Sequence, residues 1–148
     1  MTTTEIIEKL PFSPPYLFVD ELFYVNEKGA KGCYTFREDL DFFKGHFKGF
    51  PIVPGAILTE SMAQIGLVSI GIYLISSDPT IKDCVSVATS YNIDFFKPVY
   101  PNDRVTVNAE VIYFRFGKLK AKVFMVNSQG LKICEGVIAG ILVNRNNL

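Results

Sequence analysis

Between residues 104 and 113 dry and wet positions alternate: Val105, Val107, Ala109, Val111 and Tyr113 fall between Arg104, Thr106, Asn108 and Glu110. A period of two sends successive side chains to opposite faces of a strand, so this segment reads as a half-buried β-strand. Turn signals at Phe116-Gly117 and Ser128-Gln129-Gly130 separate it from two more strands, Lys118 to Asn127 and Leu131 to Val143. The strand-like pattern sets in after Asp78-Pro79, which makes about four strands with short connections in the second half. Upstream, Tyr16 to Phe36 is rich in aromatic and β-branched residues and broken at Asn26-Glu27-Lys28-Gly29, which predicts two strands joined by a turn. Thr4 to Leu10 carries an N-cap Thr, acidic residues in the first turn and Lys9 before Pro11, the pattern of a short helix.

The middle of the chain follows a different rule. Pro51 and Pro54-Gly55 punctuate a loop, and from Ala56 to Ile75 the only charge is Glu60. Ala, Leu, Met, Glu and Gln favour helix, and proline is preorganised for the first helical position. Such a helix would be about 30 Å long, which is also the thickness of a bilayer core. Glu60, Ser61, Gln64 and Ser69 within the run, no flanking basic cluster and a sheet-like remainder argue against a membrane span. A helix apolar on nearly every face is otherwise one enclosed by other elements. The prediction is an α+β fold, an antiparallel sheet of about five to six strands wrapped around one long buried helix. With no linker, repeat or low-complexity tract, residues 1–148 form a single domain.

Composition narrows the function classes. A chain of 148 residues buries roughly 70% of its unfolded surface in one core. Fifteen Lys and Arg balance fifteen Asp and Glu, so no whole-molecule field attracts nucleic acid. Cys33, Cys84 and Cys134 are odd in number and far apart, and there is one His, so neither a disulfide framework nor a metal site is expected. The N-terminus lacks the basic start and apolar run of a signal peptide, and a cytoplasmic setting is the expectation.

Phosphate-loop, dinucleotide-binding and serine-elbow signatures are absent. What remains is the run Phe42 to Gly55, with His46 between Gly45 and Phe47, followed fourteen positions later by Glu60 on the apolar helix. A lone His is usually a loop or packing residue, and a helix carboxylate usually pairs or faces solvent. Chemistry gives both a second reading. An imidazole suits a general base, and a carboxylate on an apolar helix suits a general acid. Gly55 opens a helix whose free N–H groups and dipole can receive a substrate oxygen. Base, acid and oxyanion donor are the parts needed to remove a proton beside a carbonyl and expel a β-hydroxyl as water.

The run Gly45-His46-Phe47, Gly49, Pro51, Pro54-Gly55, Glu60, Ala63 and Gln64 resembles the 3-hydroxyacyl-(acyl carrier protein) dehydratases of the hotdog fold. Leu10-Pro11, Pro15 to Asp20 and Phe95 to Asp103 extend the resemblance in one unbroken order. It implies His46 as base, Glu60 as acid of the non-isomerising branch, Gly55 as backbone donor to the thioester carbonyl, and Gln64 as an amide supporting the acid. It also implies a homodimer or trimer of dimers with sites between subunits, an acyl tunnel beside the helix, no cofactor, and acyl carrier protein with its phosphopantetheine-linked chain as partner. The family's usual His-Arg pair is here Phe12-Ser13, and its usual Pro and Arg around the second Gly are Lys48 and Phe50. Those losses remove bidentate donors and add aromatic surface, which fits a specialised fatty acid, aryl or polyene pathway. Lys118, Lys120 and Lys122 share one strand face, either as a solvated outer face or as a docking patch for an acidic carrier. Two rival readings keep the fold and change the role: an acyl thioesterase, or a catalytically degenerate acyl-binding subunit of a hetero-oligomer.

Overall fold

The computed structural model describes Met1–Leu148. A short helix α1 (Thr3–Lys9) precedes strands β1 (Glu21–Asn26) and β2 (Gly29–Thr35). The long helix α2 (Gly55–Ser76) follows, then β3 (Cys84–Phe95), β4 (Arg104–Arg115), β5 (Lys118–Asn127) and β6 (Lys132–Asn144). All six strands form one antiparallel sheet in the order β1-β2-β4-β5-β6-β3. The sheet wraps α2, giving the expected hotdog arrangement with the expected strand number.

The alternation in β4 and β5 decides which face meets the helix. Val105, Val107 and Ala109 on β4 and Leu119, Ala121, Val123 and Met125 on β5 are buried against α2, and the residues between them face outward. Phe116 and Gly117 both have positive φ, 52° and 74°, the backbone that a two-residue hairpin turn requires. Helix and sheet approach closely at Gly66, where an added Cβ would lie 2.9 Å from both Ala109 Cβ and Val123 Cγ1. Most of α2 from Leu58 to Gly71 is buried, so the one helix long and apolar enough to cross a membrane is the core helix.

Two local expectations are corrected, the cap of α1 and the start of the first strand, and two placements are added. Thr2, not Thr4, caps α1, because its hydroxyl accepts from Glu5 N while Glu5 reaches back to Thr2 N. Gly55 is the first helical residue of α2, as expected, and Pro54 stands at its N-cap with extended backbone. Residues 16–20 do not extend the first strand, since they run across α2 and bond to it through Gln64 and Ser61. β3 pairs with β6 and lies at the edge of the sheet.

Cys33 and Cys134 are buried and Cys84 is half-buried, and none is paired. Burial pushes the Cys134 thiol up to about 12 from its ordinary value near 9. The folded state therefore keeps a proton that the unfolded chain releases, and stability falls as pH rises through that window. Urea unfolding at a series of pH values above about 9 should show a decline approaching 1.4 kcal/mol per pH unit, and a shallower one in Cys134→Ala.

Candidate active site

His46 lies in the loop between a 3-10 turn (Asp41–Lys44) and α2. Main-chain bonds hold the loop: His46 N donates to Phe42 O at 3.0 Å, Ile52 N to His46 O at 3.0 Å, and Val53 N to Val99 O at 2.8 Å. The imidazole stacks on Phe47, with ring centres 4.1 Å apart. Its Nδ1 lies 2.9 Å from Ile52 O. A carbonyl oxygen only accepts, so Nδ1 carries the hydrogen and Nε2 of the neutral ring keeps its lone pair. The backbone alone thus sets the tautomer a proton acceptor needs.

α2 supplies the other groups. Gly55 begins the helix beside a cleft of about 360 Å³ lined by Val53, Leu58, Phe95, Phe96, Lys97 and Pro98. A Cβ at Gly55 would meet the Phe95 ring at 3.3 Å, so glycine keeps the approach to the helix start open. Pro54 offers no side-chain cap, and the first N–H groups of the helix are left for other partners.

Glu60 is half-buried and Gln64, one turn later, is completely buried. Phe18 N donates to Gln64 Oε1 at 2.8 Å, and Gln64 Nε2 donates to Tyr16 O at 2.9 Å and to Glu60 Oε1 at 3.1 Å. A backbone N–H can only donate and a backbone carbonyl only accept, so the amide has one possible orientation. Glu60 Oε1 faces a donor, and a proton on this carboxyl therefore resides on Oε2. The helix opens into a π turn at Gln64–Val68, where Ser69 Oγ donates to Gln64 O at 2.8 Å.

Two phenols that the sequence leaves unassigned border this carboxylate. Burial, then the negative charge of Glu60, raise the pKa of Tyr16. Burial, then the charges of Glu60 and Tyr16, raise that of Tyr91. No spacing signal could have revealed them, because one precedes β1 and the other lies on β3, both far from Glu60 in sequence.

Within one chain Glu60 and Gln64 are joined, whereas no hydrogen bond links His46 to Glu60. Lys118, Lys120 and Lys122 stand apart from both, on the outward face of β5. Lys122 sits opposite Glu110 and Lys120 opposite Tyr113, whose ring also lies 4.4 Å from the Arg115 guanidinium.

Residues 10–139 match the family model of the FabA-like domain. The chain is 36% identical over 120 residues to the 3-hydroxyacyl-(acyl-carrier-protein) dehydratase FabZ of Geotalea uraniireducens, covering 79% of this chain and 80% of that one. It is 34% identical to the FabZ dehydratase of Caldicellulosiruptor saccharolyticus, covering 90% and 92%. Among solved structures, the dehydratase heterocomplex ApeI:P of Xenorhabdus doucetiae superposes with TM-score 0.77 at 12% identity, over 99% of this chain and 94% of that one. A thioesterase of Haemophilus influenzae superposes with TM-score 0.71 at 14% identity, over 97% and 92%. At such identities the superpositions speak for the hotdog fold alone.

The Gln64 amide makes a test of the site's architecture. In Gln64→Leu the Phe18 N–H and the Tyr16 carbonyl lose their partner, at roughly 1–3 kcal/mol for each group left unsatisfied. Denaturant unfolding should register that loss.

Proposed function

The chain belongs to the FabA-like family, and from that premise we propose that it dehydrates a 3-hydroxyacyl thioester on acyl carrier protein to the trans-2-enoyl thioester. The observation that carries the reading is the pairing of a base whose free nitrogen is set by Ile52 O with an acid whose orientation is set by Gln64. His46 Nε2 takes the α-proton, and the electron pair moves into the thioester carbonyl. The Gly55 N–H receives the oxygen on which charge develops, at the positive end of α2. As the carbonyl re-forms, the bond to the β-hydroxyl breaks and Glu60 Oε2 protonates the leaving oxygen, which departs as water. Proton return from imidazolium to Glu60 restores the resting state. No step calls for a cofactor.

The proposal includes the assembly. β3 is twelve residues long and hydrogen-bonded on one side only. It presents Tyr91 and Phe95, with Phe96 just beyond, as exposed aromatics. A long bare edge with that surface supports pairing with a second copy, in a homodimer or trimer of dimers, with His46 of one protomer meeting Glu60 of its partner. The cytoplasm is the compartment this reading carries, in line with three unpaired cysteines. The relatives in sequence are dehydratases, and no observation at the site favours thioester hydrolysis.

Purified protein incubated with 3-hydroxyacyl carrier-protein substrates of alkyl, aryl and polyene type should lose one water by mass spectrometry. His46→Ala and Glu60→Ala should each slow this by roughly 10²–10⁴-fold. Failure on every chain, under conditions where a known dehydratase works, would refute the reading. The chain type with the highest kcat/KM decides between a housekeeping and a specialised pathway.

The Lys118, Lys120 and Lys122 ladder serves in the proposal as a docking patch for the acidic carrier. Its support is an outward strand face within a stretch, 111–134, that holds five Lys and Arg and no acidic residue. Changing the three to Ala should lower turnover of carrier-linked substrate, more so at low salt, while sparing a short soluble thioester. Equal loss on both substrates would remove the docking role.

A further inference from the structure

The loop that carries His46 also holds two apolar rings out in solvent, and the mechanism above uses neither. Phe47 and Phe50 are 51% and 58% exposed, beside the candidate base rather than in the core. Their backbone is nevertheless fixed. Phe47 N donates to Phe50 O at 2.8 Å and Phe50 N to Phe47 O at 3.0 Å, which closes a tight turn over Lys48 and Gly49. Gly49 has a φ of 69°, the left-handed backbone that the third position of such a turn demands. Residues that exchange both bonds in this way send their side chains to one face, with Cβ atoms about 5 Å apart. Phe47 is held further by stacking on the imidazole, ring centres 4.1 Å apart and planes at 27°. Phe50 therefore stands next to the stack of base and ring. Space around the turn is open, since a Cβ at Gly45 or Gly49 would meet nothing within 4 Å.

We propose that Phe50, paired with Phe47, is a specificity-determining residue that selects acyl chains carrying a π-system, an aromatic ring or a carbon–carbon double bond, on the β-carbon. The inference deepens the dehydration reading and rests on it. When His46 Nε2 takes the α-proton, the α-carbon is in contact with the base, and a substituent of the β-carbon lies only two bonds further on. That substituent is thus brought to the aromatic pair. A planar π-group gains ring contacts there beyond the burial of its area, which a saturated chain does not. The reaction itself strengthens the preference. Dehydration creates a double bond conjugated with the π-group, so the substrate flattens as water leaves, and flat ring faces fit the flattened form better than the starting alcohol. A merely apolar side chain at position 50 would bury the chain without making this distinction.

Three thioesters on the same carrier protein test it: 3-hydroxy-3-phenylpropanoyl, 3-hydroxyhex-4-enoyl and, as the saturated control, 3-hydroxyhexanoyl. The wild type should dehydrate both π-bearing chains with a kcat/KM roughly three- to tenfold above the control. Phe50→Leu keeps an apolar side chain and the main-chain turn, and should remove most of that advantage while leaving the control within about twofold of wild type. Phe50→Tyr, which restores a ring, should recover it. Melting temperature and the mass measured by light scattering should be unchanged in both variants, because Phe50 is exposed. No preference in the wild type, an equal loss on all three chains in Phe50→Leu, no recovery in Phe50→Tyr, or a change in stability or assembly that accounts for the loss would each overturn the inference. Dehydration of all three chains without discrimination leaves the proposed reaction standing and removes only the role of Phe50. Turnover of none of them would refute the reaction, and the selectivity with it.

Discussion

The buried amide of Gln64 is the interaction on which the rest of the structure turns. It is wholly removed from water, and each polar atom it carries is engaged, one by a main-chain donor and the other by a main-chain acceptor and a carboxylate. An unpaired amide in that position would cost several kcal/mol, so segment 16–18 is held on α2 as firmly as a strand is held in a sheet. This explains why the chain before β1 does not extend the sheet despite a strand-like composition. Its hydrogen-bonding capacity is already spent on the helix. The Ser61 hydroxyl adds a second tie, to Phe18 O at 2.9 Å.

The same constraint shapes the helix. α2 lies in the concavity of the sheet with Gly66 against β4 and β5, so any polar side chain on its enclosed turns must be satisfied within the protein. Ser61, Gln64 and Ser69 all are, and no buried side-chain nitrogen or oxygen is left without a partner. Glu60 lies where enclosure gives way to open surface, one turn before Gln64. Its carboxylate is thus fastened to the packed core and still borders open surface. The π turn falls at this junction, where Ser69 answers the carbonyl that the widened turn displaces.

Much of the fold was legible from periodicity, because two-residue alternation maps directly onto the two faces of a sheet. Lys118–Asn127 was readable to the residue, since its turns are marked at both ends and its dry positions all meet α2. The enclosed helix was legible from its lack of a polar face. Strand order was not, because pairing β3 with β6 depends on long-range packing that leaves no trace in local sequence. The His46 and Glu60 spacing pointed to the candidate site and the resemblance gave Gln64 as the support of Glu60, while the other contacts stayed hidden. Ile52 O acts through a main-chain atom, and Tyr16 and Tyr91 meet Glu60 only once three separate segments are folded together.

The supports of base and acid differ in kind, and that difference decides which substitutions the site can absorb. The His46 ring is held by a carbonyl and a loop of main-chain bonds, so changing Lys48 or Phe50, both exposed, removes none of the bonds that set its tautomer. Glu60 is held by side chains, and a change nearby has to be matched in the packing. Phe12 stands where the family usually carries His, and its ring lies against Tyr16, whose phenol borders the acid. Phe12 therefore buttresses the ring of a residue whose phenol borders Glu60.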